Sequence, residues 1–166
     1  MSKKLFLFLF AANVALALVS WAILPERVAI HFGASGWPDN WASGRVNALA
    51  FIGLHLVLWL AIYGSPGLIF IFPARFVNLP NKDYWLAPAN RERTQQILSG
   101  LMYRFGVAIF AFFFAIGLLA LQANRSDPVR LNLPVFFLCL GLFMLYTVAW
   151  VVAFFRCLRR PAPGAA

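Results

Sequence analysis

The sequence predicts an all-α membrane protein: a single domain over residues 1–166, with four transmembrane helices in a bundle and a short extended or turn-rich outer lid between the first two. Three observations predict this. Of the 166 residues, 63% are hydrophobic and 11% charged, with a mean hydropathy of +0.80, far from the composition of soluble domains. Apolar segments at 5–24, 46–72, 100–122 and 134–155 contain no Asp or Glu, and each is long enough to cross a ~30 Å hydrocarbon core as a helix. The polar connections alternate in charge. Lys3, Lys4, Arg75, Lys82, Arg91, Arg93, Arg104, Arg156, Arg159 and Arg160 fall on one side and only Arg27, Arg45, Arg125 and Arg130 on the other. By the positive-inside rule, both termini and the 75–104 segment are cytoplasmic. The net charge of +9 is therefore topological. Its basic residues are scattered over separate segments, which argues against a nucleic-acid partner.

The first span follows Lys3-Lys4. Its length favours an uncleaved helix over a secretory signal ending at Ser20-Trp21-Ala22, because signal cores are shorter. Ala11 with Ala15, and Ala111 with Ala115 in the third span, have small-xxx-small spacing that permits close helix approach.

The outer loop, 25–45, contains HFGASGWPDNWASG (His31–Gly44). Arg27–Phe32 alternates with a period of two, putting Val28, Ile30 and Phe32 on one face and Arg27, Ala29 and His31 on the other, as in a short strand. Gly33–Gly36 supplies turn residues, and Trp37-Pro38-Asp39-Asn40 resembles a β-turn with Pro at its second position. Trp37 and Trp41 suit the membrane interface. The loop should thus form a compact, ordered cap over the bundle. Two readings stay open for His31 and Asp39. In one they face a ligand or peptide at the outer surface together with Gly36, Trp37, Asn40, Trp41 and Ser43. In the other Asp39 caps a turn and His31 bonds within the loop. One His and one carboxylate without a cysteine make a poor metal site.

The residues Leu24-Pro25, Val28–Gly33, Gly36–Asp39 and Trp41–Gly44 resemble the bacterial membrane segment called domain of unknown function 1648, and they are similar to the first helical pair of SdpI-like immunity proteins. The inner stretch Leu79–Leu86 also resembles the segment after the second helix in small four-helix members. The resemblance covers roughly residues 1 to 100. It implies a small protein of the bacterial cytoplasmic (inner) membrane, with recognition, immunity, sensing or an accessory-subunit role centred on the outer loop.

The second span is interrupted at Ser65-Pro66-Gly67, where Pro66 removes a helical donor and should kink the helix or end its straight part. His55 lies about nine residues inside this span, at a depth where polar groups are functional candidates. It either lines a polar path or bonds structurally to a carbonyl or to Asn13. Asn13 and Asn47 read as interhelical glue. In the inner segment, 74–99, Lys82, Tyr84 and Trp85 suggest a stretch at the cytoplasmic interface. Asn90 is a candidate N-cap for a helix that carries Arg91 and Arg93 and runs into the third span. That extension serves either as a partner-docking surface or as an anchor to anionic lipid. In the fourth span, Pro134 is a favourable first helical residue. Cys139 and Cys157 lie eighteen residues apart, roughly 27 Å along a continuous helix, too far for a disulfide.

Several classes lack their motifs. There is no intramembrane carboxylate for ion coupling, no phosphate loop, no nucleophile elbow and no HExxH, so neither a cofactor nor catalytic residues are expected. A small transporter or channel using His55 and Asn47 is the alternative to recognition. An outer-surface enzyme using His31 and Asp39 requires them within about 8 Å of each other. The expected partners are membrane lipid and a protein or peptide. The eighteen phenylalanines exceed what a four-helix core buries, which leaves room for a homo-oligomer or for lipid cover.

Overall fold

A computed structural model describes residues 2–159; Arg160, one of the basic residues that the positive-inside rule assigns to the cytoplasmic side, lies outside the described residues. Four helices are long and apolar enough to span a membrane, and the chain is a multi-pass membrane protein. In order, the chain forms α1 (Ser2–Ile23), β1 (Arg27–Phe32), β2 (Pro38–Ser43), α2 (Gly44–Leu68), a 3₁₀ turn at Ala74–Phe76, α3 (Lys82–Trp85), a second 3₁₀ turn at Pro88–Asn90, α4 (Arg91–Asn124) and α5 (Leu133–Cys157). The helices α1, α2 and α4 pack on one another, while α5 packs on α4 and has no fully buried residue.

Glycines set the closest helix contact. A Cβ on Gly106 of α4 would lie 2.5 Å from the Phe6 ring of α1, and one on Gly117 would lie 2.8 Å from Leu16. The two glycines are eleven residues apart, three helical turns, and so share a face. The alanine pairs with small-xxx-small spacing do not play this part: Ala11, Ala15 and Ala111 are exposed, because α1 and α4 turn other faces to each other. Phe6, Ile62 and Phe110 form the buried centre of the three-helix core.

The fourth spanning helix, α5, is held to α4 by side chains that reach helix carbonyls. Trp150 Nε1 donates to the Leu101 carbonyl at 2.9 Å, and Tyr146 Oη donates to that of Arg104 at 3.1 Å. Aromatic stacking of Phe105 on Trp150 and of Phe112 on Phe143 fills the seam. Its N-terminus is capped by Asn132, whose side chain accepts from the Val135 N–H, with Pro134 in the first turn. Both cysteines are free.

At the end where α1 begins and α5 finishes, the 77–98 segment folds into a second small core with Val77, Leu79, Trp85, Leu98 and Leu158. Trp85 is 1% exposed, so within the protein it is a core residue. Its indole N–H and the Asn81 amide both donate to the Leu158 carbonyl, at 2.8 and 2.9 Å, clasping the end of α5. Tyr84 packs edge-on against Trp85, and Lys82 donates to the Ala74 carbonyl. Arg91 and Arg93 instead lie over the rings of Phe70 and Trp85.

Asn90 does not cap α4 with its side chain. The preceding 3₁₀ turn has already brought it into helical φ/ψ, and its amide donates back to the Tyr84 carbonyl. The α2 helix stops at Leu68, two residues after Pro66, and not near Phe72; proline withholds the donor that the carbonyl of residue 62 would need.

Candidate functional site

At the opposite end, β1 and β2 form an antiparallel hairpin. Its turn is Gly33–Gly36, closed by Gly36 N–H to the Gly33 carbonyl and Gly33 N–H to the Trp37 carbonyl, each at 2.9 Å. Residues 37–40 are therefore not a β-turn. Pro38 opens β2, where its missing donor is tolerated, and the tight bend falls on the glycines. Gly36 has φ +81°, and a Cβ there would stand 2.9 Å from the Leu131 carbonyl oxygen. Only glycine suits both conditions.

The strands are not in simple alternation. Ala29 pairs with Trp41, His31 with Asn40 and Phe32 with Pro38, so Ile30 is an extra residue on β1 and Asp39 an extra residue on β2. These paired bulges overturn the predicted facing of β1: Val28 and Ala29 are both buried, while Ile30 is 42% exposed. A bulge re-aims side chains. Here it brings His31 Nδ1 within 2.5 Å of Asp39 Oδ1.

The carboxylate accepts from Nδ1–H, which leaves Nε2 as the free ring nitrogen. Their side chains are 68% and 53% exposed. The separation meets the distance requirement for acid–base cooperation. Of the other residues named in the loop, Ser43 caps α2 by accepting from the Val46 N–H, and Asn40 Oδ1 accepts from the Trp41 N–H. Trp37 and Trp41 lie under the guanidinium groups of Arg130 and Arg27, at 5.4 and 5.5 Å.

The hairpin is tied down from two sides by residues that carry no local signal in the sequence. Asn124, at the end of α4, accepts from the Ala29 N–H at 2.7 Å and donates to the Ala29 carbonyl at 3.0 Å. One amide thus satisfies both backbone polar groups of Ala29. The second connection contributes Leu131, whose N–H donates to the Gly36 carbonyl at 2.9 Å.

Beneath this lid lies a cavity of about 450 Å³. Leu16, Ala17 and Ser20 of α1, Asn47, Ala48 and Phe51 of α2, Gly117, Ala120 and Asn124 of α4, and Leu133 and Phe136 of α5 form its wall, with Ala29 to Ala34 as its cover. All four spanning helices and both connections at this end contribute. Among the described residues, no Asp, Glu, Lys or Arg lines it, and His31 is the one histidine in its lining. Asn47 joins no helices: its amide and the Ser20 hydroxyl have no hydrogen-bond partner among the described residues.

His55 does not share this cavity, whose wall stops at Phe51. It is fully buried; its Nδ1–H donates to the Phe51 carbonyl one turn earlier at 2.7 Å. The rings of Phe51, Phe110 and Phe113 enclose it at 4.1, 5.5 and 5.2 Å. The bond runs within its own helix and not across to Asn13. Asn13 does join helices, donating to the Leu9 carbonyl and, across to α4, to that of Phe110 at 2.9 Å.

Against known families, the deciding span is the one that carries the lid. Residues 8–56 match the family described as a domain of unknown function, DUF1648. The match takes in most of α1, the hairpin and the first half of α2, and hence the lid and two of the four helical walls. The comparison with curated proteins found no match, and neither did the comparison with solved structures.

Proposed function

We propose that this protein is a non-enzymatic recognition component of the bacterial inner membrane, and that its hairpin end, on the outer face, binds a ligand in the lidded cavity. The carrying observation is that His31, oriented by Asp39, belongs to the cover of an apolar cavity built from all four spans. Concave, mostly apolar sites with a few polar groups are the usual form of a small-molecule site, and 450 Å³ falls within their common range of about 300–1,000 Å³. The positive-inside balance supports the orientation, with both termini and the 75–104 segment cytoplasmic. A sensing, immunity or accessory role uses the same site, with a protein or peptide reading the exposed hairpin and lipid covering α5.

The test is the set of species that co-purify with the full chain in mild detergent, compared for the natural protein, His31→Ala and Asp39→Ala. The bound ligand or partner should be lost from both variants; an unchanged set on folded variants overturns the reading. The 2.5 Å His31–Asp39 contact favours a second reading, acid–base chemistry on the ligand. That reading requires a chemically altered product whose formation stops in His31→Ala. Transport along a path lined by His55 has less support, since its ring is sealed among aromatic side chains.

A further inference from the structure

Resting on the recognition reading, we infer that the cavity takes a single-chain amphiphile whose head group is uncharged and carries both a hydrogen-bond donor and an acceptor, such as a hydroxyl or an amide. The wall supplies the selection. Among the described residues it holds no Asp, Glu, Lys or Arg, and an ionic head group brought into it would be desolvated without a permanent counter-charge, a large cost. His31 belongs to the cover, but its side chain is 68% exposed and bonded to Asp39, which is not among the lining residues. Asn124 faces the cavity too, yet its amide is used on Ala29 and Ala120. Ser20 and Asn47 remain, with a hydroxyl and an amide that have no partner among the described residues. Between them they donate and accept, so a head group that does the same satisfies both, whereas a pure hydrocarbon satisfies neither. The remaining wall is aliphatic and aromatic and accepts a chain. At about 450 Å³ the volume is that of one drug-sized molecule, which favours one chain over the two of a bilayer phospholipid.

The experiment photolabels the full chain in phosphatidylcholine nanodiscs with diazirine probes that share one acyl chain: a monoacylglycerol, the free fatty acid and a two-chain phosphatidylcholine. Labelled sites are mapped by peptide mass spectrometry. The monoacylglycerol should label the 16–24 and 116–124 segments, be competed by its unlabelled form, and lose about tenfold in apparent affinity in Asn47→Leu, the effect of one or two lost hydrogen bonds. Ala120→Phe, which fills the cavity and leaves Ser20 and Asn47 unsubstituted, should abolish the same labelling.

Preferential labelling by the fatty acid, by phosphatidylcholine alone, or with no dependence on Asn47 overturns the head-group assignment and leaves recognition at this site standing. Absence of cavity labelling by every probe, on protein whose helical content is unchanged, overturns both.

Discussion

Asn124 commits its amide to both backbone groups of Ala29, and Ala29 is 3% exposed, so no solvent replaces that pairing. Asn124→Ala should weaken the attachment of the lid by about 1–3 kcal/mol, the cost of leaving buried backbone polar groups unpaired. Hydrogen exchange at the Ala29 amide should rise about tenfold or more while α1 and α2 keep their protection. The sequence marks His31 and Asp39 through their setting between glycines and tryptophans, and the structure joins them. It does not mark Asn124, which is 95 residues from Ala29 and reads locally as one more polar residue at a helix end. Nor does it mark the bulges. A period of two in Arg27–Phe32 comes from alternation alone, whereas the extra residues at Ile30 and Asp39 interrupt the pairing register.

Among the elements, hydropathy locates all four spanning helices, because a bilayer demands length and apolarity and little else. Their contacts are less legible. The small residues that decide the α1–α4 approach are Gly106 and Gly117, three turns apart, and not the alanine pairs whose four-residue spacing is more familiar. Gly106→Ala is expected to lower the thermal midpoint in detergent, with a cost of about 1–3 kcal/mol from overpacking against Phe6 and Ile62. Gly53→Ala, which meets nothing within 4 Å, should leave the midpoint unchanged or raise it. If the two substitutions are equivalent, the α1–α4 contact is not where the bundle is tightest. The inner segment likewise shows where pattern reading ends. Trp85 among Lys82 and Tyr84 has the composition of an interfacial belt, but a carbonyl at the end of α5 needs a donor, and the indole supplies it from within a core.

For the molecule as a whole, charge asymmetry predicts the orientation, and the hairpin covers the proposed site. A background in which Cys139 and Cys157 are replaced by serine allows single cysteines to report on each end. A membrane-impermeant maleimide should label Ser35→Cys on intact cells and Glu92→Cys only after permeabilisation; the reverse pattern would invert the topology and put the cavity on the cytoplasmic face. The lid, the two connections and the four helical walls matter together, since the cavity exists only where they meet. The most direct test of that site is native mass spectrometry of the full chain ejected from membrane vesicles, comparing the natural protein with Ala120→Phe. A bound small-molecule adduct on the natural chain that disappears from the folded variant is the predicted result; identical adduct patterns on the two chains would contradict ligand binding in the cavity beneath the hairpin.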